Sequence, residues 1–66
     1  GRSEEALKAL QRAYDARPDA EIGAHLGEVL WVLDRRSQAE RVWAEAMKKA
    51  PDNEVLQKTI KRLKNP

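Results

Sequence analysis

Two proline–aspartate pairs, Pro18-Asp19 and Pro51-Asp52, stand 33 residues apart in this chain. Proline cannot continue a helix interior, and it disfavours helical geometry in the residue before it. No regular element can run through either pair, so each stretch between them must fold as a short unit. The 33-residue offset extends beyond the breaks. It aligns Arg2 with Arg35, Ala6 with Ala39, Ala13 with Ala46, Glu21 with Glu54 and Ile22 with Val55. Small residues, prolines and acids at helix starts set backbone geometry, and recurrence at one fixed offset is the signature of a repeated structural unit.

Every stretch carries a helical pattern. Ile22, Leu26, Val29, Leu30 and Leu33 fall at i, i+4, i+7, i+8 and i+11, one stripe of a 3.6-residue helix. Ala39, Val42, Trp43, Ala46 and Met47 form a second stripe, and Ala6, Leu7, Leu10, Ala13 and Tyr14 form one at the start of the chain. Leu56, Ile60 and Leu63, with Val55 beside them, form the last. No stretch alternates with period two, so no strand is expected. Asp19 and Asp52 are predicted N-caps, with Glu21 and Glu54 in the first turns they open. Asp34-Arg35-Arg36-Ser37 forms the connection inside the long stretch, where Asp34 tolerates left-handed backbone better than most residues. Connections of two to four residues make successive helices antiparallel. The predicted fold is all-α, with about four antiparallel helices.

Sixty-six residues form one small domain at most, and a chain of this size buries only about 60% of its unfolded surface. Without cysteine, neither disulfides nor thiolate metal sites can brace it, and a single histidine makes no His-rich site. Packed helices or association must supply the stability. No stretch approaches the roughly 18 apolar residues of a membrane span. The first residue is Gly1, which is expected for a segment excised from a longer protein whose targeting signals lie upstream. Compartment is therefore not legible.

At this point the chain resembles the tetratricopeptide repeat family, whose helix-turn-helix unit spans about 34 residues. Leu26-Gly27 is similar to the Leu-Gly pair of the family's first helix, with Leu30 at the next large position. Ala39 and Ala46 match its two small positions in the second helix, Trp43 the aromatic between them, and Pro51 the closing proline. The resemblance divides the chain into residues 1–18, the second helix of a preceding unit; residues 19–51, one complete unit; and residues 52–66, a C-terminal capping helix. Two positions depart from the family pattern. Asp34 stands where glycine is usual, and Ile60 stands where Gly27 sits one repeat earlier. A bulky residue at a close-contact position implies that the array ends here. His25 to Trp31 is similar to the C-terminal end of bacterial members, some of them envelope-associated, so bacterial cytoplasm and cell envelope both remain open.

The resemblance implies a scaffold that binds a peptide or protein in a concave groove lined by the first helix of each unit. Those positions here are Glu21, Ala24, His25, Glu28, Trp31 and Val32. Trp31 lies about 180° from the Ile22/Leu26/Val29/Leu33 stripe at 100° per residue. It either packs on an adjacent helix, the final one or one lost upstream, or anchors a partner in the groove, where aromatic residues dominate binding energy. His25 is expected in solvent or beside a carboxylate. Glu21 and Glu28 make the groove mildly acidic, which suits a basic or amphipathic segment. Family members that grip a terminal carboxylate use Lys and Asn at places held here by Ala24, His25 and Glu28, so that mode is not expected.

Other function classes find less support. Residues 48–66 hold six Lys/Arg and two Asp/Glu, against seven and nine in residues 1–47. Basic residues at a helix C-terminus complement its dipole, and no aromatic is interleaved for base stacking, so specific nucleic-acid binding is not expected and weak nucleic-acid binding through this basic helix stays a remote alternative. Ser3, Ser37 and Thr59 read as helix-start or surface residues, one histidine must serve any dyad, and the three glycines form no phosphate loop. Neither catalysis nor a cofactor is expected. The competing reading is self-association, driven by Leu7, Leu10 and Tyr14 on a first helix that lacks its usual partner.

Overall fold

Four helices follow the four apolar stripes: α1 (Arg2–Ala16), α2 (Ala20–Val32), α3 (Arg36–Lys49) and α4 (Glu54–Lys64). The computed structural model describes residues 1–65, and these contain no strand.

The helix ends have local causes. Asp19 caps α2, its carboxylate accepting from Glu21 N–H at 2.8 Å and Ile22 N–H at 3.4 Å. α4 differs from the sequence expectation. Its cap is Asn53 and not Asp52, with the Asn53 side-chain oxygen accepting from Leu56 N–H at 2.9 Å. Both amide and carboxylate serve this position equally, so the residue that precedes the turn by three decides. α2 ends in a left-handed turn. Asp34 has φ 63°, Arg35 N–H donates to Leu30 O at 2.8 Å and Asp34 N–H to Trp31 O at 3.0 Å. That pair of bonds satisfies the orphan carbonyls of the last turn. They hold Asp34 in a conformation that costs a non-glycine residue about 1 kcal/mol.

α2 is the centre of the molecule. It packs against all three other helices, whereas the α1 backbone comes close to α2 alone and α3 meets α4 along a thin edge. A helix can be surrounded this way only where its own side chains are small. Gly23 lies beneath the Tyr14 ring and beside Ala46, and an added Cβ would sit 3.1 and 3.2 Å from them. Gly27 is tighter, since its Cβ would fall 2.5 Å from Trp43 Cε2. The indole is thus pressed on bare backbone, and its N–H donates to Ala24 O at 3.4 Å. These registers, 23 with 46 and 27 with 43, run α2 and α3 antiparallel. Leu26, Leu30, Ala39 and Leu56 complete the buried core.

The molecule is a slab of 32 × 30 × 17 Å. Side-chain bonds tie α1 to α3, Tyr14 to Glu45 at 2.7 Å and Arg35 to Glu4 at 3.1 Å. Arg62 of α4 reaches Glu28 of α2 at 3.0 Å.

Two further sequence expectations are corrected. Tyr14 is not uncovered. It is only 7% exposed, because its ring rests on Gly23 and its hydroxyl donates to Glu45. Leu7 and Leu10 are half-buried against the core. Thr59, read as a surface residue, is buried in the contact face of α4.

The Tyr14 environment has a pH consequence. Burial, then the hydrogen bond to Glu45, then the charge of Glu45 raise its pKa from 10.0 to about 12. The folded state therefore keeps a proton that the unfolded chain releases. The folded state binds more protons between these values, so stability falls as pH rises from 10.0 towards about 12. Chemical denaturation of the wild type should give a falling midpoint over this window. Tyr14→Phe should remove that part of the decline and lower stability by about 1 kcal/mol at neutral pH. An identical alkaline slope in both proteins would contradict the assignment.

Candidate functional site: the open face of α2 and α4

Three sides of α2 are covered, and the fourth is open. Glu21, His25, Glu28 and Val32 lie at i, i+4, i+7 and i+11, one line along the helix. Glu21 and His25 are exposed, Glu28 is half-buried, and Val32 at 66% is the most exposed of the large hydrophobic residues. Asp19 fixes the start of this line by capping α2, and the Asp34 turn fixes its end.

The other two residues placed in the groove from sequence face elsewhere. Ala24 is 0% exposed. It lies under α3, with its carbonyl accepting from the Trp43 indole, so no partner can touch its side chain. Trp31 is half-buried, its ring centroid 5.5 Å from that of Trp43 at an interplanar angle of 32°. The Arg36 guanidinium lies over it, 4.6 Å from the centroid. Tilted aromatic packing at this distance and cation–π stacking both stabilise the pair. Trp31 therefore packs in the α2–α3 seam, and not on the final helix or an upstream one as the sequence suggested. Ala24 and Trp31 lie about 70–90° round the helix from the open line, which is enough to put them under a neighbour.

The open face extends onto α4. Arg62 Nη2 stands 3.0 Å from Glu28 Oε2, and His25 Nδ1 lies 4.0 Å from Glu28 Oε1. Glu28 thus sits between a permanent cation and an imidazole. Lys58 pairs with Glu54 one turn earlier on α4 at 3.9 Å. Sequence spacing pointed to an acidic groove, but Arg62 offsets the Glu28 charge, so the face carries both signs. Arg62 was missed because it sits on another helix. Its only sequence signal was membership of the basic end, which also fits dipole compensation. The pairs are exposed enough that each contributes at most about 1 kcal/mol to stability. That leaves their charges available to a ligand.

Among the described residues no group of three His, Cys, Asp or Glu side chains could hold a metal ion, and no helix is long and apolar enough to cross a membrane. No family model, no curated protein and no solved structure matches the chain.

Proposed function

We propose that this chain is a segment of a tetratricopeptide-type helical array that binds a peptide or protein segment on the α2–α4 face. The observation that carries the proposal is the open line Glu21, His25, Glu28 and Val32 on a helix whose other sides are all packed. A rigid central helix presenting one free edge costs little to order on binding, which favours recognition by a pre-formed surface. The repeat reading draws support from the 33-residue offset of matched residues. The segment that suits the face is amphipathic. An apolar side chain covers Val32, and charged groups exchange with the Glu28–Arg62 pair. Interfaces below about 1,200 Å² are weak or transient, so micromolar or weaker binding is expected.

The test is selection of short peptides from a random displayed library against the 66-residue chain, followed by amide chemical-shift mapping of the selected peptides. The expected shifts cluster at Glu21, His25, Glu28, Val32 and Arg62, and Val32→Asp weakens binding about tenfold or more while leaving the helical circular dichroism unchanged. Failure to select any peptide above background, or shifts confined to the outer faces of α1 and α3, would overturn the proposal.

A further inference from the structure

We propose that this chain associates head to tail with a second copy of itself, the α1 of one molecule docking in the notch between α3 and α4 of the next. The notch has a volume of about 520 Å³ and is lined by Glu40, Trp43, Ala44, Met47, Ile60 and Lys64. Its floor is apolar, and its rim carries an ion pair from Lys64 to Glu40 at 2.6 Å. Its lining shares no residue with the Glu21–Val32 line.

Internal correspondence identifies the occupant. Under the 33-residue offset, α1 is the counterpart of α3 and α4 the counterpart of α2. Within the molecule α3 lies on α2, with Trp43 pressed on Gly27. The counterpart pair, α1 on α4, has no such contact within one chain. Its residues are nevertheless matched for one. Leu10 stands at the Trp43 position and Ile60 at the Gly27 position. One large side chain on bare backbone becomes two medium side chains, and redistribution of that kind is what a packed contact tolerates.

Burial agrees with this correspondence. Ala39, Trp43 and Ala46 are buried under α2, whereas their counterparts Ala6, Leu10 and Ala13 are only half-buried. α1 thus holds a half-covered version of the surface that α3 uses. Charge agrees as well. Antiparallel docking brings the acidic first turn of α1, with Glu4 and Glu5, to the basic last turn of α4, with Lys61, Arg62 and Lys64. Because the two surfaces differ, the contact is heterologous, and it propagates unless a ring closes.

Two exposed positions give variants that do not disturb the core. Ala9 is on α1 at the Val42 position, and Ala44 lines the notch. Ala9→Arg blocks one surface and Ala44→Arg the other. In sedimentation from about 10 μM to about 1 mM, the wild type is expected to grow in average mass with concentration, and less so at high salt. Each variant alone should stay monomeric. An equimolar mixture of the two should form a dimer and nothing larger, because one intact surface of each kind remains. A wild type that stays monomeric over this range, or a mixture no heavier than its components, would overturn the proposal.

Discussion

Gly27→Ala is expected to lower stability by about 1–2 kcal/mol or more, although alanine is the better helix former. The intrinsic preference favours alanine by about 1 kcal/mol. Against it stands the new Cβ, which would lie 2.5 Å from Trp43 Cε2 and 2.6 Å from Trp43 Cδ1. Trp43 is buried, with its N–H bonded to Ala24 O, so the ring cannot turn away without breaking that bond. Overpacking of a tight core costs about 1–3 kcal/mol and sometimes more. A 66-residue domain has roughly 3–10 kcal/mol in total, so the loss is a substantial fraction of its stability. Gly23→Ala is the internal comparison. Its Cβ would meet Tyr14 and Ala46 at 3.1 and 3.2 Å, a squeeze that small shifts relieve, and the loss should be well under half as large. Trp43→Leu in the Gly27→Ala background should recover part of the loss, since residues in contact do not behave additively. Urea denaturation measures all of these. A Gly27→Ala protein as stable as the wild type would mean that α2 and α3 stand further apart.

Leu56→Ala should cost about 2–5 kcal/mol, the range for removing a fully buried leucine. Leu56 is 0% exposed and lies at the N-terminal end of α4. α4 is held chiefly by α2 and only at an edge by α3, so a cavity here loosens the whole helix. Val55, its neighbour, is 38% exposed, and Val55→Ala should change stability by about 0.5 kcal/mol or less. The contrast between adjacent positions makes the measurement specific. Similar losses at both positions would show α4 rotated from the orientation described.

Much of the fold was legible because its causes are local. The two proline–aspartate breaks, the helical stripes and the tolerance of Asp34 for left-handed backbone all act within a few residues. What the sequence concealed was the number of faces that α2 buries. A search for one apolar stripe found Ile22, Leu26, Val29 and Leu33, and treated the far side as open. Gly23, Ala24 and Gly27 form that far side, and small residues carry little hydrophobic signal. They mark contact by the space they leave, which becomes visible only when Trp43 and Tyr14 fill it. α2 has just two acids and one histidine in thirteen residues. A helix with so little charge around its circumference is a buried one, and that composition was the available clue. The same oversight assigned Ala24 and Trp31 to the groove. Glu21, His25, Glu28 and Val32 were placed on an accessible edge by the family resemblance, and the helix period sets them in line. The partnership of Glu28 with Arg62 crosses 34 residues and depends on how α4 docks, which no local pattern specifies.

Closure of the other sides of α2 is what leaves a single edge for a ligand, and the Trp43–Gly27 contact is where that closure is tightest. Nuclear Overhauser spectroscopy on the uniformly labelled chain reads this contact directly. Strong cross-peaks from the Trp43 indole protons to the Gly27 α protons are expected, with those α protons displaced upfield by the ring current. Absence of the cross-peaks, with Gly27 α shifts typical of an exposed helix, would contradict the close packing and the single open edge that follows from it.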